Sequence, residues 1–178
     1  AFQLNPDLPR TGVDRKSYLE QKFGGPARAR EIYARVEAAG REAGIAFDFD
    51  RIRVQPNTLQ AHRLIAWASQ RGRGTPLVEA LFRAYFLEGQ DFTDDARLAD
   101  AAAEAGLERD AAIAFLASDE LSEDVAADES VARQIGVQGV PFFIFDRRLA
   151  ASGAQPADAL LAAMEEALAG TTSGGAGA

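Results

Sequence analysis

Residues 136–146, with the sequence Gly-Val-Gln-Gly-Val-Pro-Phe-Phe-Ile-Phe-Asp, constrain the fold more than any other part of the chain. Gly136 suits the left-handed residue that ends a helix. Pro141 fixes its own φ, donates no backbone hydrogen bond and favours an extended conformation for Val140. The aromatic and β-branched run that follows, Phe142 to Phe145, is typical of a strand covered on both faces, where proline is tolerated only at the start. The pattern therefore predicts a helix end, a loop and a buried strand.

Almost the whole stretch between residues 11 and 122 has the pattern of helices. Capping residues, proline near a helix start and glycine stop signals divide it into separate elements. The predicted helices run from a cap at 14 to residue 23, over 27–43, from a cap at 57 or 58 to 71, from 75 to a stop at 89, from a cap at 93 or 94 to a stop at 106, and over 108–117. Residues 45–54 alternate in polarity and are predicted to be extended.

The last part of the chain has a different pattern. A helix over 118–135 leads to two predicted strands, 142–145 and 149–152, joined by a turn at Asp146-Arg147-Arg148, and a helix over 156–168 follows. A hairpin alone is only marginally stable in water, so these strands need a sheet partner. Residues 1–10, where Phe2 and Leu4 alternate with polar residues, are predicted to end a strand that supplies it.

Four segments follow from these patterns. Residues 1–10 are the end of a strand, and residues 11–122 form an all-helical insertion domain. Residues 123–169 hold a helix, the proline loop, the hairpin and the last helix, and residues 170–178, rich in Gly, Ala, Ser and Thr, are predicted to be a disordered tail. The fold class is α/β, a small sheet with a large helical insertion.

Composition argues against several classes of function. With 27 acidic and 19 basic residues the net charge is −8, which disfavours a nucleic-acid partner and binding to an anionic membrane. No apolar run approaches the roughly 20 residues that span a bilayer, and nothing at Ala1 resembles a secretion signal, so we expect a cytoplasmic location. Because the chain has no cysteine and one histidine, neither a disulfide nor a metal site is expected.

Three segments, in order, resemble a known family. They are Phe2-Gln3-Leu4-Asn5-Pro6-Asp7, then Asn57-Thr58-Leu59-Gln60-Ala61-His62-Arg63-Leu64, and then Gly139-Val140-Pro141-Phe142-Phe143-Ile144-Phe145-Asp146 with Ser152-Gly153-Ala154-Gln155. Over residues 1 to about 168 the chain is similar to the DsbA-like thioredoxin-fold family, in its FrnE-type and 2-hydroxychromene-2-carboxylate isomerase-like branch. The resemblance implies a thioredoxin-like fold with a helical insertion and a cis Val140-Pro141 bond.

The chain departs from this family at one point that matters for chemistry. Family members carry Cys-x-x-Cys, or a serine in the isomerase branch, at the start of a first helix that follows a first strand. This chain has no cysteine, and its resemblance begins near the end of the family's second strand. We therefore expect an N-terminally incomplete copy of the fold, with the nucleophile upstream of Ala1, no catalytic residue among the 178 and no dithiol chemistry.

The resemblance also implies a binding site. In the family the proline loop faces the nucleophile. The main-chain edge at Gly139, Val140 and Pro141 would bind an extended peptide or glutathione through hydrogen bonds. Without the resemblance, Pro141 would simply start a strand, because cis bonds are uncommon even before proline. The expected partner is thus a thiol or disulfide substrate. No cofactor is expected, with glutathione as the one alternative. Monomer and homodimer both stay open.

Three further residues are candidates for this site, each with a structural alternative. His62 would donate a hydrogen bond to a substrate, or its positive charge would favour a nearby thiolate. The structural alternative is a helix histidine hydrogen-bonded at a boundary between domains. Asn57 would contact substrate or cap a helix, and Phe2 would lie near the active-site surface or in the core. Trp67 is predicted to be a core residue.

Three functions are compatible with these observations. The first is a thiol–disulfide oxidoreductase of the FrnE type, which exchanges disulfides through a thiolate. The second is a glutathione-dependent isomerase or kappa-type transferase with serine at the first cysteine position. The third is a redox-inactive binding or chaperone-like domain. The residues upstream of Ala1 distinguish them: Cys-x-x-Cys favours the first, a lone serine the second, and neither the third.

Overall fold

The helices of the computed structural model, which describes residues 1–172, begin and end close to the predicted capping residues. Asp14 accepts a hydrogen bond from the Ser17 backbone N–H at 2.8 Å and so caps the first helix, which ends at Gly24 with a φ of 78°. Asp94 likewise accepts from the Ala96 N–H at 2.9 Å at the start of a later helix. The helices are α1 (Arg15–Phe23), α2 (Pro26–Glu42), α3 (Leu59–Ser69), α4 (Gly74–Phe86), α5 (Asp95–Glu104), α6 (Arg109–Leu116), α7 (Ser122–Gln134) and α8 (Ala157–Thr172).

Several helix boundaries differ from the predictions: α7 begins at Ser122 and not at 118, and α4 ends at Phe86, before the predicted stop at 89. α4 begins at Gly74, one residue before the predicted start, and its N-cap residue is Arg73. Pro76 lies in the first turn, where its missing N–H breaks no intrahelical bond. α8 continues through Gly170 to Thr172, since a single glycine inside a helix costs only about 1 kcal/mol. The predicted disordered tail is wrong for residues 170–172, and the rest of it lies outside the described residues.

The chain divides into two compact units, unit 1 (Ala1–Asp128) and unit 2 (Glu129–Ala178). In unit 1, α3, α4, α5 and α6 pack on one another around a buried apolar core. Trp67 and Phe115 stack in it with ring centroids 5.2 Å apart, and Leu64, Leu77 and Leu98 are fully buried. Trp67 is thus a core residue, as predicted. α1 and α2 contact each other in the same unit.

The strands of unit 1 are short and lie away from the chain start. β1 (Val13–Asp14) pairs antiparallel with β2 (Val54–Gln55), and the predicted extended stretch before β2 contains a 3-10 turn, Phe49–Arg51. Residues 1–10 form turns and irregular structure, so the predicted strand end there is wrong. The predicted alternation also fails, because Gln3 is buried while Leu4 is 56% exposed. A segment of alternating polar and apolar residues forms a strand only where a neighbouring strand is present to pair with it.

Unit 2 contains the predicted hairpin. β3 (Phe142–Phe145) pairs antiparallel with β4 (Leu149–Ser152), and α8 packs against both strands. Asp146 and Arg147 both have positive φ, as the favoured hairpin turns require, and the Arg148 N–H donates to the Phe145 carbonyl at 3.0 Å. In the described residues this sheet has two strands. Ile144 is 47% exposed, so the prediction of a strand covered on both faces is wrong.

Within the described residues, no helix has both the length and the apolar character needed to cross a bilayer.

Candidate functional site

The loop between α7 and β3, residues 135–141, is held at both ends by backbone hydrogen bonds. At its start, the N–H groups of Gly136 and Val137 donate to the α7 carbonyls of Arg133 and Ala132, at 3.0 and 2.9 Å. Gly136 has a φ of 87°, and the Val137 side chain is buried. This arrangement is the glycine-based helix end that the sequence predicts.

At the other end of the loop, the Pro141 carbonyl accepts a hydrogen bond from the Gly153 N–H at 2.8 Å, just beyond β4. The Val140–Pro141 peptide bond is cis. Gly153 has a φ of 79°, a backbone conformation that glycine adopts readily. The loop is therefore anchored to α7 on one side and to the end of the hairpin on the other.

Between these anchors, the main chain at Val140 is open. Neither the N–H nor the C=O of Val140 makes a hydrogen bond with any residue between 1 and 172. The residue is 53% exposed, and a Cβ placed on the neighbouring Gly139 would meet no atom within 4 Å. Backbone N–H and C=O groups of folded proteins are normally paired with protein or water, so this peptide edge is a ready acceptor and donor for another chain.

His62 lies on α3 in unit 1 and is half-buried. Its Nδ1 lies 2.7 Å from the carbonyl oxygen of Thr58, one turn earlier. Because a carbonyl oxygen only accepts, Nδ1 donates in this hydrogen bond, and Nε2 takes no part in it. The contact with Thr58 gives the imidazole a defined tautomer, while its predicted role toward a substrate or thiolate stays a prediction.

Asn57 ties the start of α3 to the beginning of the chain. Its Nδ2 donates to the Pro6 and Leu8 carbonyls at 3.2 and 2.8 Å, and its Oδ1 accepts from the Leu59 N–H at 2.9 Å. The N-cap residue of α3 is Thr58, whose side chain makes no capping bond, so Asn57 satisfies the first N–H of the helix from one position earlier. The predicted contact of Asn57 with substrate stays a prediction. Phe2 lies half-buried in the same unit. The six predicted site residues are split: Gly139, Val140 and Pro141 are consecutive in unit 2, and Phe2, Asn57 and His62 belong to unit 1.

Sequence reasoning missed a buried arginine beside His62. Arg63 is 2% exposed, and its guanidinium donates to the carbonyls of Glu120 at 2.9 Å and Ser118 at 2.6 Å and to the Gln60 Oε1 at 2.5 Å. Burial lowers the pKa of this guanidinium. The signal was present, since Gln60 and Arg63 share the spacing i, i+3, i+4, i+7 with the buried Leu64 and Trp67.

The described residues contain no group of three or more His, Cys, Asp or Glu side chains placed to hold a metal ion. They also contain no cysteine, because the whole sequence has none. The feature of these residues that could engage another molecule is the main chain of the loop at Val140, whose N–H and C=O make no hydrogen bond among residues 1–172.

Comparison with known proteins agrees with this geometry. The family model of the DSBA-like thioredoxin domain matches residues 1–165. The solved structure of a probable DsbA oxidoreductase from Streptomyces coelicolor superposes with a TM-score of 0.87 and is 33% identical, over 94% of this chain and 73% of that chain. No curated protein matches the sequence significantly.

These findings confirm the predicted fold class, an α/β thioredoxin-like fold with a helical insertion, and they support a thiol–disulfide oxidoreductase-like function. The narrower placement in the FrnE-type branch stays a prediction. The chain belongs to the DsbA-like family of thioredoxin-fold proteins.

Proposed function

We propose that this chain is the substrate-docking part of a thiol–disulfide oxidoreductase, and that its open main-chain edge at Val140 binds the extended backbone of a peptide or of glutathione. The observation that carries the proposal is that the Val140 N–H and C=O make no hydrogen bond within residues 1–172, in a residue that is 53% exposed. An extended backbone can pair with such an edge as a strand pairs with a sheet. Main-chain pairing gives affinity without demanding one substrate sequence.

The reaction itself needs sulfur that this chain does not contain. In disulfide exchange, a thiolate attacks one sulfur of a disulfide, a mixed disulfide forms, and the other sulfur leaves as a thiolate. The attacking thiolate must therefore come from a residue outside these 178. We expect the chain alone to show no turnover in insulin reduction driven by dithiothreitol, and measurable turnover would contradict the proposed division of roles.

His62 is the residue of this chain best suited to assist that thiolate. An imidazolium close to a thiol lowers the thiol pKa, because the positive charge favours the thiolate. With Nδ1 held by the Thr58 carbonyl, Nε2 is the atom that would face the sulfur or its substrate. In a homologue that carries the thiol, His62→Ala should raise the thiol pKa or slow turnover, and a thiol pKa and turnover that both stay unchanged would exclude this role.

Docking can be tested on the chain as it exists by measuring its affinity for oxidised glutathione and for S-methylglutathione. Oxidised glutathione holds two copies of the tripeptide that S-methylglutathione holds once, and only the first ligand can exchange. Main-chain docking therefore predicts similar dissociation constants per tripeptide. Val140→Pro removes the Val140 N–H, whereas the matched variant Val140→Ala keeps it. We expect Val140→Ala to bind as the parent chain does and Val140→Pro to lose about tenfold or more in affinity, which corresponds to one hydrogen bond.

Equal affinity of Val140→Pro and Val140→Ala for both ligands would contradict docking at this edge. Binding of a peptide that lacks sulfur, together with no disulfide exchange by a homologue that carries the thiol, would instead favour a redox-inactive binding domain.

A further inference from the structure

We propose that unit 1 holds a second binding site, in the cleft between α1, α2 and the 3-10 turn Phe49–Arg51, for a small organic anion that joins one carboxylate to an apolar body. The site is independent of the proposed function at Val140. Three features support it: the size of the cleft, a buried cation in its wall and the balance of charges around it.

The cleft has a volume of about 440 Å³. Sites for small molecules typically enclose about 300–1,000 Å³, so the cleft has room for a compact organic ligand. α1 contributes Arg15 and Leu19 to its wall, α2 contributes Tyr33, and the segment that leads into β2 contributes Phe49 and Ile52. All of its lining residues belong to unit 1.

Arg15 is the feature that points to an anion. It is 5% exposed, and its guanidinium donates to three uncharged oxygens, the Gln55 Oε1 at 2.7 Å and the hydroxyls of Tyr33 at 3.0 Å and Tyr85 at 3.2 Å. The same guanidinium lies 5.2 Å from the ring centroid of Tyr33 and 5.9 Å from that of Tyr85. In the part of the chain that the structure describes, Arg15 forms no ion pair.

A buried cation without a counter-charge is unusual. Removing a charge from water is costly, so buried charges are as a rule paired. The tyrosine hydroxyls do not supply that charge: burial raises the pKa of Tyr85 to about 12, so its phenol stays neutral. A guanidinium has five N–H donors, and the three hydrogen bonds of Arg15 leave two of them for a carboxylate.

The other charges of the cleft favour a single negative charge on the ligand. Besides Arg15, its lining includes the cations Lys16, Arg30 and Arg53 and the acids Glu20, Glu37 and Asp50, which leaves one net positive charge. None of these six side chains forms an ion pair with another residue between 1 and 172. The chain as a whole carries a net charge of −8, so this local excess runs against the general composition.

The remaining walls are apolar and stiff. Tyr33 and Phe49 meet edge to face with ring centroids 4.8 Å apart, and Phe47 stacks on Phe49 at 5.0 Å. Ile52 is buried behind them. Aromatic rings in such pairs offer a large apolar surface with little conformational freedom to lose, which suits the hydrocarbon or ring portion of a ligand.

The competing explanation is that Arg15 only joins β2, α2 and α4 through its neutral partners. Binding of three probe carboxylates, benzoate, 4-phenylbutyrate and octanoate, separates the two. Each is titrated to about 10 mM, which would saturate a site with a dissociation constant near 1 mM. For each probe the matched primary amide keeps the apolar body and removes the charge. The expected result is saturable binding of at least one carboxylate, with its amide about tenfold weaker or more, since a charge-assisted hydrogen bond is lost.

Two variants locate the binding. Arg15→Lys keeps the charge but loses the fork of donors, and Ala34→Phe narrows the cleft from an exposed lining position without touching Arg15. Both should weaken carboxylate binding at least tenfold, and Arg35→Gln, which is next to Ala34 but outside the cleft lining, should not. Absence of saturable binding by all three carboxylates, equal binding of acid and amide, or full affinity in Ala34→Phe would overturn the proposal.

Discussion

Units 1 and 2 differ in how completely they bury their apolar side chains. Of the buried apolar residues among residues 1–172, all except Val137 and Ala167 lie in unit 1. Unit 2 instead contains seven of the eleven large apolar side chains that are exposed in the described chain: Val131, Ile135, Val140, Ile144, Leu161, Met164 and Leu168. Segments with few buried apolar contacts are the ones that open and bind most easily.

Unit 1 therefore contributes most of the stability, and unit 2 offers the surface that is open to binding. Unit 1 has an ordinary helical core, and its buried Arg63 donates to several backbone carbonyls. In unit 2, the loop at Val140 is anchored at both ends and open between them. A rigid frame around an unpaired main-chain edge is the arrangement that favours recognition of another backbone.

The largest effect is expected for a leucine in the core of unit 1. Leu77 in α4 is fully buried, whereas Leu161 in α8 is 54% exposed. Leu77→Ala should lower the free energy of unfolding by about 2–5 kcal/mol, because it removes buried methyl groups and leaves a cavity. Leu161→Ala should change it by less than about 0.5 kcal/mol. Urea denaturation of the two variants measures both values, and similar losses would break the contrast between the units.

A second large effect is expected for the buried arginine. Arg63→Met removes the donor for the Glu120 and Ser118 carbonyls and for the buried Gln60 Oε1, and a buried acceptor left unpaired costs about 1–3 kcal/mol. Arg35→Met, the matched change at an exposed i,i+4 pair with Glu31, should cost about 0.5 kcal/mol or less. Comparing the midpoints of thermal unfolding checks the difference. An Arg63→Met protein as stable as Arg35→Met would show that the carbonyls find other partners.

Tyr85 gives a pH-dependent effect of intermediate size. Burial raises its pKa to about 12 in the folded chain, against about 10 when unfolded. The folded state therefore keeps the proton longer than the unfolded state does. Titration of Tyr85 therefore leaves the free energy of unfolding unchanged below pH 10. As the pH rises from 10 to about 12, it lowers the free energy of unfolding by about 2–3 kcal/mol.

The comparison for Tyr85 is with Tyr85→Phe. In Tyr85→Phe, the free energy of unfolding should fall less between pH 10 and 12 than it does in the parent chain. Tyrosinate absorbance should show one of the three tyrosines titrating near pH 12 in the parent chain only. Equal pH dependence of both proteins would mean that the phenol is solvated.

The smallest effect on stability concerns the exposed face of α8. Leu161, Met164 and Leu168 follow a spacing of three and four residues and so share one helix face. Met164→Lys should leave the free energy of unfolding within about 0.5 kcal/mol and reduce the binding of an apolar fluorescent dye. Val36→Lys, at a 41% exposed position of α2 in unit 1, should reduce dye binding less. If Met164→Lys and Val36→Lys reduced dye binding equally, the exposed face of α8 would bind the dye no better than a single exposed side chain.

Local signals predicted much of this molecule. The caps at Asp14 and Asp94, the glycine that ends α7 and the turn at Asp146 are all present, because each depends on a few neighbouring residues. The loop around Val140 was predicted from Pro141 and its surroundings together with the family resemblance.

Long-range features were predicted less well. Residues 1–10 do not form the predicted strand, since alternation alone does not supply a ladder partner. The two buried arginines were missed, because their acceptors are distant in sequence: Arg15 reaches Tyr85, and Arg63 reaches Glu120. Spacing along α3 marks Arg63 as inward-facing, but only the tertiary structure shows which carbonyls it binds.

Docking at Val140 is tested most directly by nuclear magnetic resonance. The backbone amide signals of the chain are followed while a cysteine-containing peptide, with its sulfur methylated, is added. Docking at the open edge predicts the largest shifts at Val140 and Gly139. The Val137 amide, which donates to the Ala132 carbonyl, should shift little. Shifts confined to unit 1, or none at Val140 at saturating peptide, would contradict it.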